Sequence, residues 1–229
     1  MIDVTLDKSE AEYRRYFNGS VLLIIGGWAL LIGIIVCIGD VFWGVIIGGF
    51  GLALLVKGFK DKAACSDADI DKAWRDIAVA REDEAYKIAN LEKEDTIRPA
   101  EWFYAFPNDV AQDREYKYKE GKDKRYRRNY QRLVYMIYGR DQLVIWDETI
   151  NLETKWDSSD QVQEFFWNDV SAVKFDEKVN LMTINVSGAE EEITLTGDGG
   201  KDVSIEEYEK NAREISNGIR AILREKKSS

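Results

Sequence analysis

Two apolar runs with almost nothing between them constrain this chain more than any other feature. The first covers residues 20–39 and contains no charged residue, the second covers residues 41–56, and Asp40 separates them. At a rise of about 1.5 Å per residue, a helix over the first run matches a hydrocarbon core about 30 Å thick. The second run is shorter, but Lys57 can lift its ammonium group to the lipid headgroups. A two-helix transmembrane hairpin is therefore predicted over residues 20–59.

Basic residues flank this hairpin at one end only. The turn at residues 39–40 has no basic residue, whereas six flank the two runs: Lys8, Arg14, Arg15, Lys57, Lys60 and Lys62. Because Lys and Arg stay on the cytoplasmic side of a membrane, we expect a cell-membrane protein with two spans and both termini in the cytoplasm. A cleaved signal peptide is the competing interpretation, but no A-x-A-like cleavage site follows the first run.

Small residues recur on both predicted spans. Gly44 and Gly48 form a GxxxG pattern, and Ala29 and Gly33 form a similar pair on the first helix. Such spacing lets two helices approach closely in lipid. These four positions are predicted to be packing residues, either between the two helices of one hairpin or in a homo-oligomer.

Composition narrows the chemistry that the chain can perform. It has no histidine and two cysteines, Cys37 and Cys65, and both lie in or beside the predicted hairpin. The commonest general base and metal ligand are therefore missing, and the carboxylates show no spacing that selects an acid–base pair. We expect a non-enzyme without a cofactor or a metal.

Beyond the hairpin, the hydrophobic period first indicates a helix and then strands. Residues 66–95 have apolar positions at three-to-four spacing behind Ser66, which predicts an amphipathic helix. An aromatic-rich segment over residues 96–113 is interpreted as an ordered connector. The predicted organisation is an N-terminal segment over residues 1–19, the hairpin over 20–59, a juxtamembrane helix and connector over 60–113, and a β domain over 114–229.

The β domain is predicted from alternating residues and turns. Residues 131–138 and 143–156 form a hairpin around Gly139, Arg140 and Asp141, and further strands lie within residues 163–175, 181–188 and 191–200. Ser204 and Glu207 then make a capping box before a helix with one apolar stripe. The fold class is α+β, with an antiparallel β-sandwich or partly open barrel closed by a C-terminal α-helix.

This order of elements resembles the pleckstrin-homology-like (PH-like) domains of small bacterial membrane proteins. In those domains an aromatic-x-Asp-Val/Ile step enters a strand, a short hairpin follows and a helix ends the module. The matching residues here are Trp167, Asp169, Val170, Leu181, Ile184, Ile193 and Leu195. The resemblance covers roughly residues 130–227 and implies a fold far more than a function.

One segment stands out against the acidic background of the chain. The net charge of the whole chain is −10, yet residues 114–132 contain nine basic and three acidic residues, a net +6. The candidate binding residues are Lys117, Lys119, Lys122, Lys124, Arg125, Arg127, Arg128, Arg132, Tyr126 and Tyr130. Such a cluster can contact anionic lipid headgroups or a protein partner, or its charges can pair with acidic residues of the same domain. Nucleic acid is disfavoured, because no RNA- or DNA-binding motif accompanies the basic residues.

Two functional hypotheses follow from these patterns. The first is a membrane-tethered scaffold or adaptor whose cytoplasmic module binds membrane lipids or an unidentified protein partner. The second is a ligand-gated membrane effector, in which the β domain senses a small anionic signal and the hairpins oligomerise.

Overall fold

The computed structural model describes residues 6–105, 116–154, 161–176, 181–187, 189–194 and 205–228. Over these residues the protein is an α+β chain with five α-helices and antiparallel sheets. It divides into two compact units, a first unit over Leu6–Ala73 and a second unit that begins at Trp74.

The first unit contains three helices and the start of a fourth. Helix α1 (Glu10–Asn18) begins with a capping box, in which Ser9 Oγ accepts from the backbone N–H of Glu12 and the Glu12 carboxylate accepts from that of Ser9. Helices α2 (Val21–Cys37) and α3 (Val41–Ala63) follow. Asp40 ends the turn between them, because its Oδ1 accepts from the N–H of Phe42 at 3.0 Å and caps α3. Helix α4 (Asp67–Ile88) continues into the second unit.

One helix of the described chain, α3, is by itself long and apolar enough to cross a membrane. Helix α2 has 17 residues and reaches the same length only together with α1, from which it is bent by 57°. Of the two predicted spans, the second, shorter apolar run is therefore the one that by length and composition is sufficient alone.

The described part of the second unit contains nine strands and a C-terminal helix. The strands are β1 (Thr96–Ala105), β2 (Tyr118–Glu120), β3 (Tyr126–Arg128), β4 (Tyr130–Gly139), β5 (Gln142–Asn151), β6 (Gln161–Phe166), β7 (Val170–Asp176), β8 (Leu181–Val186) and β9 (Ala189–Thr194), and the helix is α5 (Ile205–Ser228). They form a four-stranded sheet in the order β1-β4-β5-β6, a three-stranded sheet in the order β7-β8-β9, and the separate β2–β3 hairpin. All pairings are antiparallel, and the described strands do not form a closed barrel.

Strand β4 lies at the centre of the second unit and is buried along its whole length. On one face, Val134, Met136 and Tyr138 join a core with residues of β7, β8 and α5. On the other face, the Tyr135 hydroxyl donates to the carbonyl of Ala78 in α4. The four-stranded sheet is thus covered on both faces, by α4 on one side and by the three-stranded sheet with α5 on the other.

Two sequence predictions are confirmed in this unit. Strands β4 and β5 form the expected hairpin, with Tyr138 opposite Leu143 and a turn through Gly139. Helix α5 begins at Ile205, next to the predicted cap at residue 204, while the predicted capping box itself lies outside the described side chains. The last predicted strand segment, over residues 191–200, is described only as far as Thr194.

The predicted connector over residues 96–113 needs correction. Its first ten residues are strand β1, which pairs with β4 from Thr96 opposite Gly139 to Ala105 opposite Arg132. Pro99 argued against a strand, because proline has no N–H to donate to a β-ladder. It is tolerated here because β1 is an edge strand whose register shifts between Arg98 and Glu101. The four-stranded sheet therefore begins before residue 114, and residues 106–113 of the connector lie outside the described residues.

Two element boundaries also differ from prediction. The segment over residues 163–175 is two strands in different sheets, divided at Trp167, whose indole Nε1 donates to the carbonyl of Gly139 at 2.9 Å. Helix α4 ends at Ile88 and not at residue 95, because Asn90 adopts a left-handed φ of 51° that terminates a helix.

Candidate functional site

The basic segment of the sequence folds into the β2–β3 hairpin and the start of β4. Tyr118 lies opposite Arg128, Lys119 opposite Arg127 and Glu120 opposite Tyr126. The turn is closed by the N–H of Gly121, which donates to the carbonyl of Arg125 at 2.7 Å. Side chains on the turn therefore project at the end of a short two-stranded ribbon.

Tyrosines accompany the basic residues along this ribbon. The ring centroids of Tyr116 and Tyr118 are 6.3 Å apart, and those of Tyr118 and Tyr126 are 5.8 Å apart in an edge-on arrangement. The Tyr118 side chain remains largely exposed. Exposed tyrosines are amphipathic, with an apolar ring and a polar tip, and they suit a membrane–water or protein interface.

An ion pair within the turn fixes Arg127. Its guanidinium donates to both carboxylate oxygens of Asp123, at 2.9 and 2.8 Å. Hydrogen bonding to Arg127 holds the pKa of Asp123 well below its usual range. A carboxyl whose pKa is lowered on folding stabilises the folded state above its ordinary pKa and loses that effect only in stronger acid. The ion pair between Arg127 and Asp123 therefore contributes to stability at mildly acidic and neutral pH.

Arg128 and Arg132 are buried as well. The carbonyl of Arg128 accepts from Trp74 Nε1 at 3.3 Å, which ties the end of β3 to α4. Arg132 lies on β4 and forms an ion pair with Asp147 of β5, and the two side chains are only about 5% and 8% exposed. Little of either arginine is therefore exposed at the surface of the unit.

Lys117 belongs to a third internal network. Its Nζ lies 3.2 Å from Glu153 Oε2, and the other oxygen of Glu153 accepts from Asn129 Nδ2 at 3.2 Å. Asn129 in turn accepts from the backbone N–H of Lys117 at 2.8 Å. The closed ring of contacts holds the strand entering β2 against the chain leaving β3.

The exposed positive charge of the segment is concentrated at the hairpin turn. Lys122, Lys124 and Arg125 are exposed, with 84% of the Lys124 side chain accessible, although Glu120 lies 3.1 Å from its Nζ. Lys119 and Tyr126 are half-buried, and Tyr130 is buried at the start of β4. Three exposed cations of this segment, Lys122, Lys124 and Arg125, are called the basic turn, and Arg125 Nε lies 4.0 Å from Asp123 Oδ2.

The predicted packing residues of the hairpin lie between α2 and α3. A Cβ placed on Gly33 would lie 2.6 Å from the Cα of Gly48, and one on Gly44 would lie 2.5 Å from the backbone nitrogen of Cys37. Ala29 lies across from Gly51 in the same contact. The structure therefore places the four predicted residues in the contact within one hairpin.

Sequence reasoning missed three other members of this contact. Gly26, Gly51 and Gly58 are buried between the helices, and a Cβ on Gly51 would lie 2.5 Å from the backbone nitrogen of Leu30. The signal was present as a seven-residue repeat, at positions 26 and 33 of α2 and 44, 51 and 58 of α3. A repeat of seven returns to the same helix face after two turns.

No three His, Cys, Asp or Glu side chains come together as a metal site within the described ranges. Comparisons with protein-family models, with curated proteins and with solved structures found no significant match.

Proposed function

We propose that this protein is a membrane-tethered interaction module. Helices α2 and α3 cross the cell membrane as a two-span hairpin, both termini lie in the cytoplasm, and the second unit is a PH-like domain that contacts anionic lipid headgroups through its basic turn. The antiparallel order of its strands and the C-terminal helix on their common core support the PH-like assignment.

The observation that carries this proposal is the inverted distribution of side chains in the α2–α3 hairpin. Glycines fill the contact between the helices, while large apolar side chains point outward, with 65% of Ile24, 63% of Trp28 and 68% of Phe42 exposed. A helix pair in water would turn its large apolar residues inward, whereas in lipid close packing of small residues drives helix association. Lipid is the solvent that fits this surface.

The charges around the hairpin support its orientation. Asp40 caps α3 in the turn, which carries no basic residue, and Lys60 and Lys62 lie in the last turn of α3. Positive charge at the open end and its absence at the turn favour termini on the cytoplasmic side.

The basic turn is the part of the second unit best suited to headgroups. Each basic residue near an anionic leaflet contributes about 1 kcal/mol before screening by salt. Three exposed cations on a short ribbon, beside the exposed Tyr118, combine charge with an amphipathic ring. Arg127, Arg128 and Arg132 support this ribbon from within, and we assign them no headgroup contact.

The effector hypothesis requires a contact between hairpins at a face other than that of Gly44 and Gly48. That hypothesis used the Gly44 and Gly48 face as a seam between hairpins, but Gly44 lies against Cys37 of its own hairpin and Gly48 against Gly33. The same glycines cannot serve both contacts at once.

Native mass spectrometry of the full chain tests the headgroup contact. The protein is released from micelles containing phosphatidylglycerol or phosphatidylcholine, and bound lipids are counted. We expect wild type to retain phosphatidylglycerol preferentially, and Lys122→Gln, Lys124→Gln and Arg125→Gln together to reduce that preference by about tenfold or more.

The matched control removes three other exposed lysines of the second unit. Lys87→Gln, Lys174→Gln and Lys226→Gln make the same change in net charge away from the hairpin and should leave the preference intact. An equal loss in the control, or an unchanged preference in the basic-turn variant, would contradict the proposed contact.

A further inference from the structure

A second cationic surface lies away from the basic turn, in a groove between strand β7 and helix α5. The groove has a volume of about 470 Å³. Its floor includes Val173 of β7 and Leu223 of α5, and three basic side chains of α5 line it: Arg220, Arg224 and Lys227. Pockets for small ligands typically measure about 300–1,000 Å³ and combine apolar walls with a few polar groups.

The helical period brings the three cations together. Residues 220, 224 and 227 are separated by four and three positions, so they follow one side of α5 over about 10 Å. Leu223 lies on the same side, between the first two cations. Val173 and Leu223 are themselves nearly buried beneath the groove, so the three cations dominate its exposed surface.

Arg220 is held in position by the edge of the three-stranded sheet. Its Nε donates to the carbonyl of Val173 at 3.0 Å, and its Nη1 donates to Asn217 Oδ1 at 3.3 Å. β7 is an edge strand in the order β7-β8-β9. A guanidinium positioned by a backbone carbonyl is pre-organised, so ligand binding costs less side-chain entropy.

Arg224 and Lys227 differ from the cations of the β2–β3 hairpin. Neither makes a hydrogen bond or an ion pair with any part of the chain that the structure describes. In the hairpin, by contrast, Lys117 and Arg127 are paired with Glu153 and Asp123. The whole chain has a net charge of −10. The described residues that line this groove nevertheless include three cations and no acidic residue.

We propose that this groove binds a small organic phosphate, with the phosphate on Arg220, Arg224 and Lys227 and the rest of the ligand against Ser171 and Ala172 of β7. Phosphate fits this arrangement better than a single carboxylate does, because it offers several oxygens to two guanidinium groups and an ammonium group at once. The proposal goes beyond the membrane-tethering function and does not depend on it.

Calorimetric titration of the full chain in non-ionic micelles tests the proposal. The probes are adenosine monophosphate, which combines a phosphate with a planar ring, and dihexanoyl phosphatidic acid, which carries the phosphate as a lipid headgroup. Adenosine and inorganic phosphate are the two partial probes. We expect at least one complete probe to bind more tightly than either partial probe, and the tighter of the two identifies a soluble or a lipid source for the phosphate.

The variant Arg224→Gln with Lys227→Gln should weaken that binding by about tenfold or more, because it removes two charge-assisted contacts. Both side chains are exposed, so the fold should tolerate the change. The matched control is Lys174→Gln with Lys226→Gln, which alters β7 and α5 equally but outside the groove lining, and it should bind as wild type does.

Three results would overturn the assignment: no binding of either complete probe to wild type, equal affinity in the groove variant, or an equal loss in the control. The basic-turn variant should retain phosphate binding, so failure of the groove proposal leaves the membrane proposal unaffected.

Discussion

The ion pair of Arg132 and Asp147 shows how one residue can change role between sequence and structure. In the sequence, Arg132 ends a basic run that could meet a ligand. In the fold it lies on the central strand β4, and its guanidinium meets a carboxylate of the neighbouring strand β5. A buried charge of this kind is retained only with its partner, since loss of the partner leaves an uncompensated ion.

We predict that Arg132→Met and Asp147→Ala will each destabilise the second unit by about 3–5 kcal/mol. Each change leaves one charge buried without its partner. The double variant should lose less than the sum of the two single changes. Urea unfolding followed by tryptophan fluorescence measures all three, since Trp146 and Trp167 are buried in this unit.

The control for these three variants is Arg140→Met. It removes an exposed arginine whose Nη2 lies 4.0 Å from Asp95 Oδ1. Exposed pairs contribute about 0–1 kcal/mol, so its midpoint should stay close to that of wild type. Additive effects in the double variant would show that the buried pair does not couple.

Among the elements, the α2–α3 hairpin is packed through its glycines. A Cβ on Gly26, Gly33 or Gly51 would meet backbone atoms of the other helix at 2.8 Å or less, whereas Gly27 and Gly49 have nothing within 4 Å. Glycines of the same two helices thus divide into a contact set and an open set.

We predict opposite effects for alanine in these two sets. Gly33→Ala and Gly51→Ala should destabilise the hairpin by about 1–3 kcal/mol, because the added methyl group overlaps backbone atoms of the other helix. Gly27→Ala and Gly49→Ala should be neutral or stabilising, since alanine is the better helix former by up to about 1 kcal/mol. Titration of the micelles with sodium dodecyl sulfate, followed through Trp28 and Trp43, measures the difference. Similar behaviour of all four variants would argue against this packing.

For the whole molecule, the decisive quantity is the number of spans. Among the described helices, α3 alone is long and apolar enough to cross a membrane by itself, and α2 is so together with the bent helix α1. Two spans return the chain to the side on which it started, whereas one span places its ends on opposite sides. The sidedness of the two termini therefore distinguishes these arrangements.

We predict that green fluorescent protein fused to the N-terminus and, separately, to the C-terminus will be fluorescent in both fusions in a bacterial host. This reporter becomes fluorescent when it stays in the cytoplasm, and the positive charges flanking both runs favour that side. Both fusions should also remain with the membrane after alkaline carbonate extraction. Fluorescence at one terminus only would mean that α3 alone crosses.

Much of the architecture could be predicted because it depends on neighbours in the chain. The apolar runs predict α2 and α3, the three-to-four spacing behind Ser66 predicts α4, and the Gly139 turn predicts the β4–β5 hairpin. In each case the period of the side chains and a local cap or turn residue are sufficient, since both act within a few residues.

The roles of individual residues depended on the partners that the fold places beside them. Arg127 and Arg132 are basic residues like Lys124, yet burial and acidic partners at positions 123 and 147 make them structural. The segment of β1 became a strand because an open edge of β4 was available to it. The groove cations of α5 meet a surface that only the three-stranded sheet supplies. Local patterns determine which elements form, whereas the charge and exposure of a side chain depend on what the fold places beside it.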